Sequence, residues 1–388
     1  MKTINHYIWI FLAGMLMSSC IERYYPDSEL NFRPKLVIDG LLATDDGPQE
    51  IIISQSSATE DPKLIPVSRC TVFVEDDKGN RFTFSESTDK GHYFGTLEGN
   101  SIVIGGRYRL RVKTSDGKEY ASNLEELMPC PDVDAVYYEL VTKQTSDRDI
   151  TEKGLQFFID FKGSENYGRY FRWQLIQTYE YHSTWPLDRW LDWDGYHDLA
   201  RTDYSNFVCY KTEKLKDIFV LSTAGFTQNT YPHYKLHFIA DQTQVLQHKY
   251  SLLVRQYSLT ESAFNYWENL RKNNQDNVNI FGRQPANVKG NIRNVNDSTD
   301  VALGYFGISS IRSKRIIVNP INGLSFNNVY RCRALVIEGP IPPDDRPFYF
   351  AEDEDALGVK YTGQAGPECI FCTMHGGTTQ KPDYWDEK

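Results

Sequence analysis

Beyond its first twenty positions the sequence has no apolar run long enough to cross a bilayer, which takes about 20 residues. It also lacks Gly-x-Ser-x-Gly, His-Glu-x-x-His and any phosphate-cradling glycine loop, and its eight histidines are scattered without a nucleophile arrangement. These absences leave no catalytic residue to assign, and the chain is expected not to be an enzyme and to need no cofactor. Concentrated positive charge is missing too. With 42 Lys and Arg against 52 Asp and Glu, the net charge of -10 excludes a broad phosphate-binding face and therefore nucleic acid as a partner.

What the chain does contain is aromatic bulk: 25 Tyr, 21 Phe and 7 Trp mark a packed globular protein, not a disordered one. Its 388 residues suffice for two or three cores. The start reads differently from the rest. Lys2, the short apolar stretch Tyr7 to Met17 and then Ser18-Ser19-Cys20 have the layout of a signal segment over residues 1–19. Cys20 after two small residues resembles a lipobox, with Met17 where Leu is more usual. Cys20 is thus the expected lipid attachment site, carrying palmitate-type chains whose buried methylenes contribute about 0.8 kcal/mol each. Residues 20–33 read as the lipidated tether, which makes a membrane the first expected partner.

Six other cysteines remain: Cys70, Cys130, Cys209, Cys332, Cys369 and Cys372. In an oxidising envelope they are candidate disulfide partners, with the pairing open. From Pro34 onward short β-rich runs alternate with turn signals such as Asp77-Lys78-Gly79-Asn80 and Asp116-Gly117. They predict a β-sandwich over 34–129, ended by Met128-Pro129-Cys130-Pro131. A larger β-rich, sandwich-like domain is expected over 130–339, with one helix near 260–272 capped by Thr260 and presenting Ala263, Tyr266, Trp267 and Leu270 on one side. The tail, 340–388, reads as irregular and pinned by its cysteines. The fold class is mainly β.

Several segments, in order, resemble the outer-membrane lipoproteins of Bacteroidetes grouped as domain of unknown function 4249. They include Leu36-Val37-Ile38-Asp39-Gly40-Leu41, Gly106-Arg107-Tyr108-Arg109-Leu110-Arg111-Val112, Tyr250 to Leu259, Gly304-Tyr305-Phe306 and Cys369-Ile370-Phe371-Cys372. The resemblance implies an N-terminal module of immunoglobulin-like or carboxypeptidase-regulatory-like type. It also implies a companion of a TonB-dependent transporter at the outer membrane, on a side left undecided and with an undefined ligand.

Local motifs admit competing readings. Cys369-x-x-Cys372 suits structural disulfides, a zinc site completed by His375 or Cys332, or redox chemistry; no metal site is assigned. Tyr179 to Tyr210 is an aromatic stretch between expected strands. Trp185, Trp190, Trp193 and Tyr196 are its candidate contacts to a ligand or partner, unless they form a satellite core. Asp192-x-Asp194-Gly195 does not keep the calcium-loop frame. Asp344, Asp345 and Glu352 to Asp355 suit a solvated face, and Ser298 within Asp297-Ser298-Thr299 resembles an O-glycosylation site.

Overall fold

Period-two alternation gives a strand one face to bury, and the N-terminal runs use it to build a single folded-over sheet. The computed structural model describes residues 34–386 except 45–46, 58–62, 97–101, 146, 148, 277–287, 327–331, 337–338 and 342. The signal segment, Cys20 and the tether lie outside the described residues. Leu36–Ala43, Gln49–Gln55, Thr71–Asp76, Arg81–Glu86, His92–Gly95, Arg107–Lys113 and Glu119–Ser122 join in one continuous order. Ile38, Ile51, Val72, Tyr93, Leu110 and Tyr120 from these strands meet in one core, so the sheet closes over itself as a sandwich. At the Asp116-Gly117 turn, Gly117 has φ 88° and its N–H donates to the Thr114 carbonyl at 2.9 Å.

Two more strands of this sheet arrive from far along the chain. Ile292–Asn294 pairs with Glu119–Ser122, and Leu303–Ser309 runs parallel to Leu36–Ala43. The expected limits 34–129 and 130–339 are corrected accordingly: a piece of the expected second domain completes the first. A parallel neighbour cannot be reached by a hairpin and needs a long crossover, and here the connection contains the rest of the first sandwich and most of the second unit. Gly304 marks the closest approach, since a Cβ there would lie 2.0 Å from the Ile38 carbonyl oxygen.

The second unit packs two sheets face to face. Ala135–Gln144, Thr151–Lys162 and Thr230–Ala240 form one; Tyr170–His182, Val208–Lys214, Phe219–Ser222, Tyr250–Leu259 and Ile311–Val318 form the other. Phe157, Ile159, Phe171, Trp173, Leu252 and Val254 fill the space between them, each stabilising the fold by about 1.5–3 kcal/mol. The helix, Glu261–Asp276, starts where expected, with Ala263 N–H donating to Thr260 Oγ1 at 3.3 Å. Its Ala263, Phe264, Tyr266 and Trp267 pack with Ala43 and Tyr305 of the first unit and with Tyr257, Leu259 and Ile311 of the second. Glu125, 3% exposed, ties this junction together. It accepts from Thr260 Oγ1 at 2.5 Å, Ser262 Oγ at 2.9 Å, Asn291 Nδ2 at 3.1 Å and Tyr305 OH at 2.7 Å.

A fourth sheet joins Leu187–Asp192, Gly195–Asp203, Leu335–Val336, Phe348–Glu354 and Lys360–Ala365. Within the aromatic stretch Leu187–Asp192 and Gly195–Asp203 pair as a hairpin, and Phe348–Glu354 from the tail adds a second ladder partner to Leu187–Asp192. The tail is irregular only around its two longer strands. Disulfides Cys209–Cys372 and Cys332–Cys369 hold it, so the two sulfurs of Cys369-x-x-Cys372 bond to separate partners and do not pair with each other. Cys70 and Cys130 are corrected from candidate partners to free thiols. Cys70 sits beside Tyr93 in the first sandwich, whereas Cys130 is buried against Gln256 of the second unit, where burial pushes its thiol up to about 11.

Candidate functional site

Where the two units meet under the helix, the outward faces of their strands enclose a cleft of about 270 Å³. The alternation that builds each core also selects what lines it. In Tyr170–His182, Phe171, Trp173 and Leu175 point into the core, which turns Arg172 and Gln174 outward. In Leu36–Ala43 and Gln49–Gln55, burial of Ile38, Leu42, Ile51 and Ile53 leaves Asp39 and Glu50 on the cleft side. Register brings Arg172 opposite Tyr257 and Gln174 opposite Arg255, while Lys214 pairs with Ile176 two residues further on. Trp267 closes the cleft from the helix.

Arg172 is the unusual member. Its side chain is buried, yet its Nε–H has no hydrogen-bond partner among the described residues. The guanidinium stacks on Trp267, 3.8 Å from the ring centroid, with Tyr257 at 5.6 Å. Burial draws its pKa below the usual guanidinium range, against the pull of Tyr257 and Asp39. Asp39 touches the water of the cleft but is flanked by protein mass. That desolvation raises its carboxyl, with Arg172 and Lys214 opposing. Lys214 is lowered, first by desolvation and next by Arg172. Glu50 already has a partner in His92 Nδ1, at 2.7 Å. The cleft thus holds three cationic side chains of which one is inadequately solvated, an arrangement that an entering anion would relieve.

A wider groove of about 630 Å³ runs past Lys216, Phe219, Tyr234, His237 and Arg271. Two of its charges are answered within the protein: His237 Nδ1 lies 3.4 Å from Asp217, and Arg271 Nε donates to Glu268 at 2.7 Å. It is larger than the Arg172 cleft, but no buried polar atom without a partner is found among its described lining residues.

The residues singled out in the sequence are dispersed. Trp185 is half-buried in a small core with Ala334 and Ile370. Trp190 stacks on His197 at 4.5 Å and donates from Nε1 to Asp192 at 3.0 Å, whereas Trp193 and Tyr196 at the hairpin tip are 65% and 56% exposed. Asp192 also accepts from His197 and from the Asp194 N–H; the His197 bond leads in holding its carboxyl down at about 2. Glu352 faces Arg189 at 3.3 Å and Asp353 accepts from the Ala334 N–H at 2.9 Å, so part of the acidic cluster serves the fourth sheet. Ser298 is exposed in a turn held by Thr299 on Asp297. None of these lines the cleft. Sequence reasoning missed Arg172, Lys214, Arg255 and Trp267; the available signal was the arginine set among Tyr170, Phe171 and Trp173 in a strand otherwise rich in core residues.

Fold and cleft define a mainly β protein of stacked sheets with a charged cavity at the junction of two units. Residues 21–315 match the family described as Domain of unknown function (DUF4249), and the chain belongs to that family. No curated protein matches it. Among solved structures it is similar to a DUF4785 family protein from Legionella pneumophila, at 11% identity and a TM-score of 0.17, over 57% of this chain and 52% of that one. It is also similar to trypsin-activated alpha-2-macroglobulin from Escherichia coli, at 13% identity and a TM-score of 0.18, over 59% of this chain and 15% of that one. The chain thus spans about half of the first relative and a small part of the second, and at these scores neither likeness carries an argument about function.

Proposed function

We propose that this protein is a non-catalytic, lipid-tethered binding component of the outer membrane that serves a TonB-dependent transporter, in nutrient uptake or complex assembly. Its ligand on this reading is a small organic acid whose carboxylate meets Arg172 in the junction cleft. The observation that carries the binding role is the buried, unpartnered Nε–H of Arg172 facing a cavity of about 270 Å³. A carboxylate there would gain a charge-assisted bond from a pre-set guanidinium, with Lys214 and Arg255 nearby. Trp267 and Tyr257 supply flat apolar walls for the rest of a compact molecule.

Titration calorimetry of the mature chain with galacturonate and with neutral galactose tests the charge requirement. Binding of the acid alone, lost in Arg172→Gln, is the expected result; equal binding of both sugars, or of neither, counts against the cleft. The address rests on Cys20 and has its own test. Palmitate labelling that disappears in Cys20→Ser, and co-purification of a transporter from mildly solubilised outer membranes, are expected; an unlabelled, freely soluble product would remove the tether from the account.

A second reading, an adhesive surface lipoprotein, is favoured by the exposed Trp193 and Tyr196 at the hairpin tip. Protease shaving of intact cells separates the two, since an adhesin must be cut and a periplasmic accessory must survive.

A further inference from the structure

Eight residues beyond Arg172 along the same strand, about 26 Å away at about 3.3 Å per residue, a second group of side chains converges. Glu180 and His182 are alternate residues near the end of Tyr170–His182 and project to the face opposite Tyr179 and Tyr181, which are committed to the core. His248 joins them because the Glu180 N–H donates to the Lys249 carbonyl at 3.0 Å, holding the entry to Tyr250–Leu259 against the strand. The two imidazoles stack at 3.8 Å and 23°. His182 Nε2 lies 2.9 Å from Glu180 Oε1, and the donor atoms of all three side chains fall within 4.8 Å of one another.

We propose that Glu180, His182 and His248 form a binding site for one first-row transition-metal dication of the zinc type. Two imidazole nitrogens and one carboxylate oxygen are the donor set of open zinc sites, in which water takes the fourth position. Ligands of a tetrahedral ion with bonds of about 2.1 Å stand about 3.4 Å apart. The His182–Glu180 pair is already within that spacing, and the third donor closes the remainder by a side-chain rotation of His248. Glu180 has the outer-shell support that a metal ligand needs, since its other oxygen, Oε2, accepts from Trp385 Nε1 at 3.1 Å. His182 and Glu180 side chains are 25% and 20% exposed, enough for an ion and its water to enter. Calcium and magnesium ask instead for six or more oxygens, so they fit this donor set poorly.

The site is independent of the cleft and is tested separately. The mature, oxidised full-length chain is titrated with zinc chloride in a non-coordinating buffer, and with cobalt chloride while visible absorption is recorded. One saturable equivalent is expected, with cobalt d–d bands of a nitrogen–oxygen site. His182→Ala and His248→Ala should each weaken zinc at least tenfold, and Glu180→Gln should do so while preserving a side chain of the same shape. Unchanged melting and circular dichroism of the metal-free variants separate lost ligation from lost fold. Absence of a stoichiometric equivalent in the parent chain, or affinity unchanged in the His182→Ala, His248→Ala double variant, overturns the site.

Discussion

Arg172 carries its charge where water can reach it only through the cleft; its Nε is unpaired, and stacking on Trp267 is what offsets its burial. Replacing an unpaired buried charge with an uncharged chain of similar length is often neutral or stabilising. Arg172→Met is therefore expected to leave the empty protein as stable as before, or more stable by about 1 kcal/mol, while abolishing binding of organic acids. Denaturant melts and calorimetry on one preparation check both halves. Glu125 is the opposite kind of buried acid, satisfied by four donors from both sides of the junction. Glu125→Ala strands those donors and should lower stability by about 3 kcal/mol, at about 1–3 for each group left unpaired, read as a reduced denaturant midpoint. Only Arg172 leaves a trace in the sequence, as a charge set among Tyr170, Phe171 and Trp173. A lone Arg or Glu on a strand reads as an ordinary solvent-facing position until the neighbouring unit is placed over it.

Elements were more legible than residues. Runs such as Arg107–Lys113 alternate with period two, and the helix after Thr260 shows an apolar side and a capping hydroxyl, so both formed where the pattern put them. Thr260→Ala removes the cap and one bond to Glu125 together, and a loss of about 1–2 kcal/mol is expected, measurable as a lower melting temperature. The aromatic hairpin escaped because its ladder partner lies more than 150 positions away, at Phe348–Glu354. Local patterning can identify a strand only when it shows one buried face, and Leu187–Asp192 is half-buried throughout.

For the whole molecule, Cys209–Cys372 spans 163 residues and closes the longest covalent loop among the described residues. On a chain-entropy basis its loss removes about 5 kcal/mol, so Cys209→Ser with Cys372→Ser should melt well below the oxidised parent. Acid should also destabilise the fold. Burial is the first cause holding both His237 and His248 below the usual value of about 6.5. The unfolded chain takes up those protons first, so their contribution is complete above that value and is lost as pH falls through the depressed range. Asp39, raised by burial, works with the opposite sign. Stability measured between pH 7 and 5 should therefore fall less steeply in a His237→Gln, His248→Gln double variant than in the parent.

The amino-acid order alone determined the β class, most strand positions, the capped helix and the family resemblance, because each depends on neighbours within a few residues. Only tertiary structure decided that Leu303–Ser309 completes the first sandwich, which cysteines pair, and that Asp39, Arg172, Lys214 and Arg255 share a cleft. Those outcomes depend on which distant faces meet, and strand alternation fixes which way a side chain points without fixing what it points at.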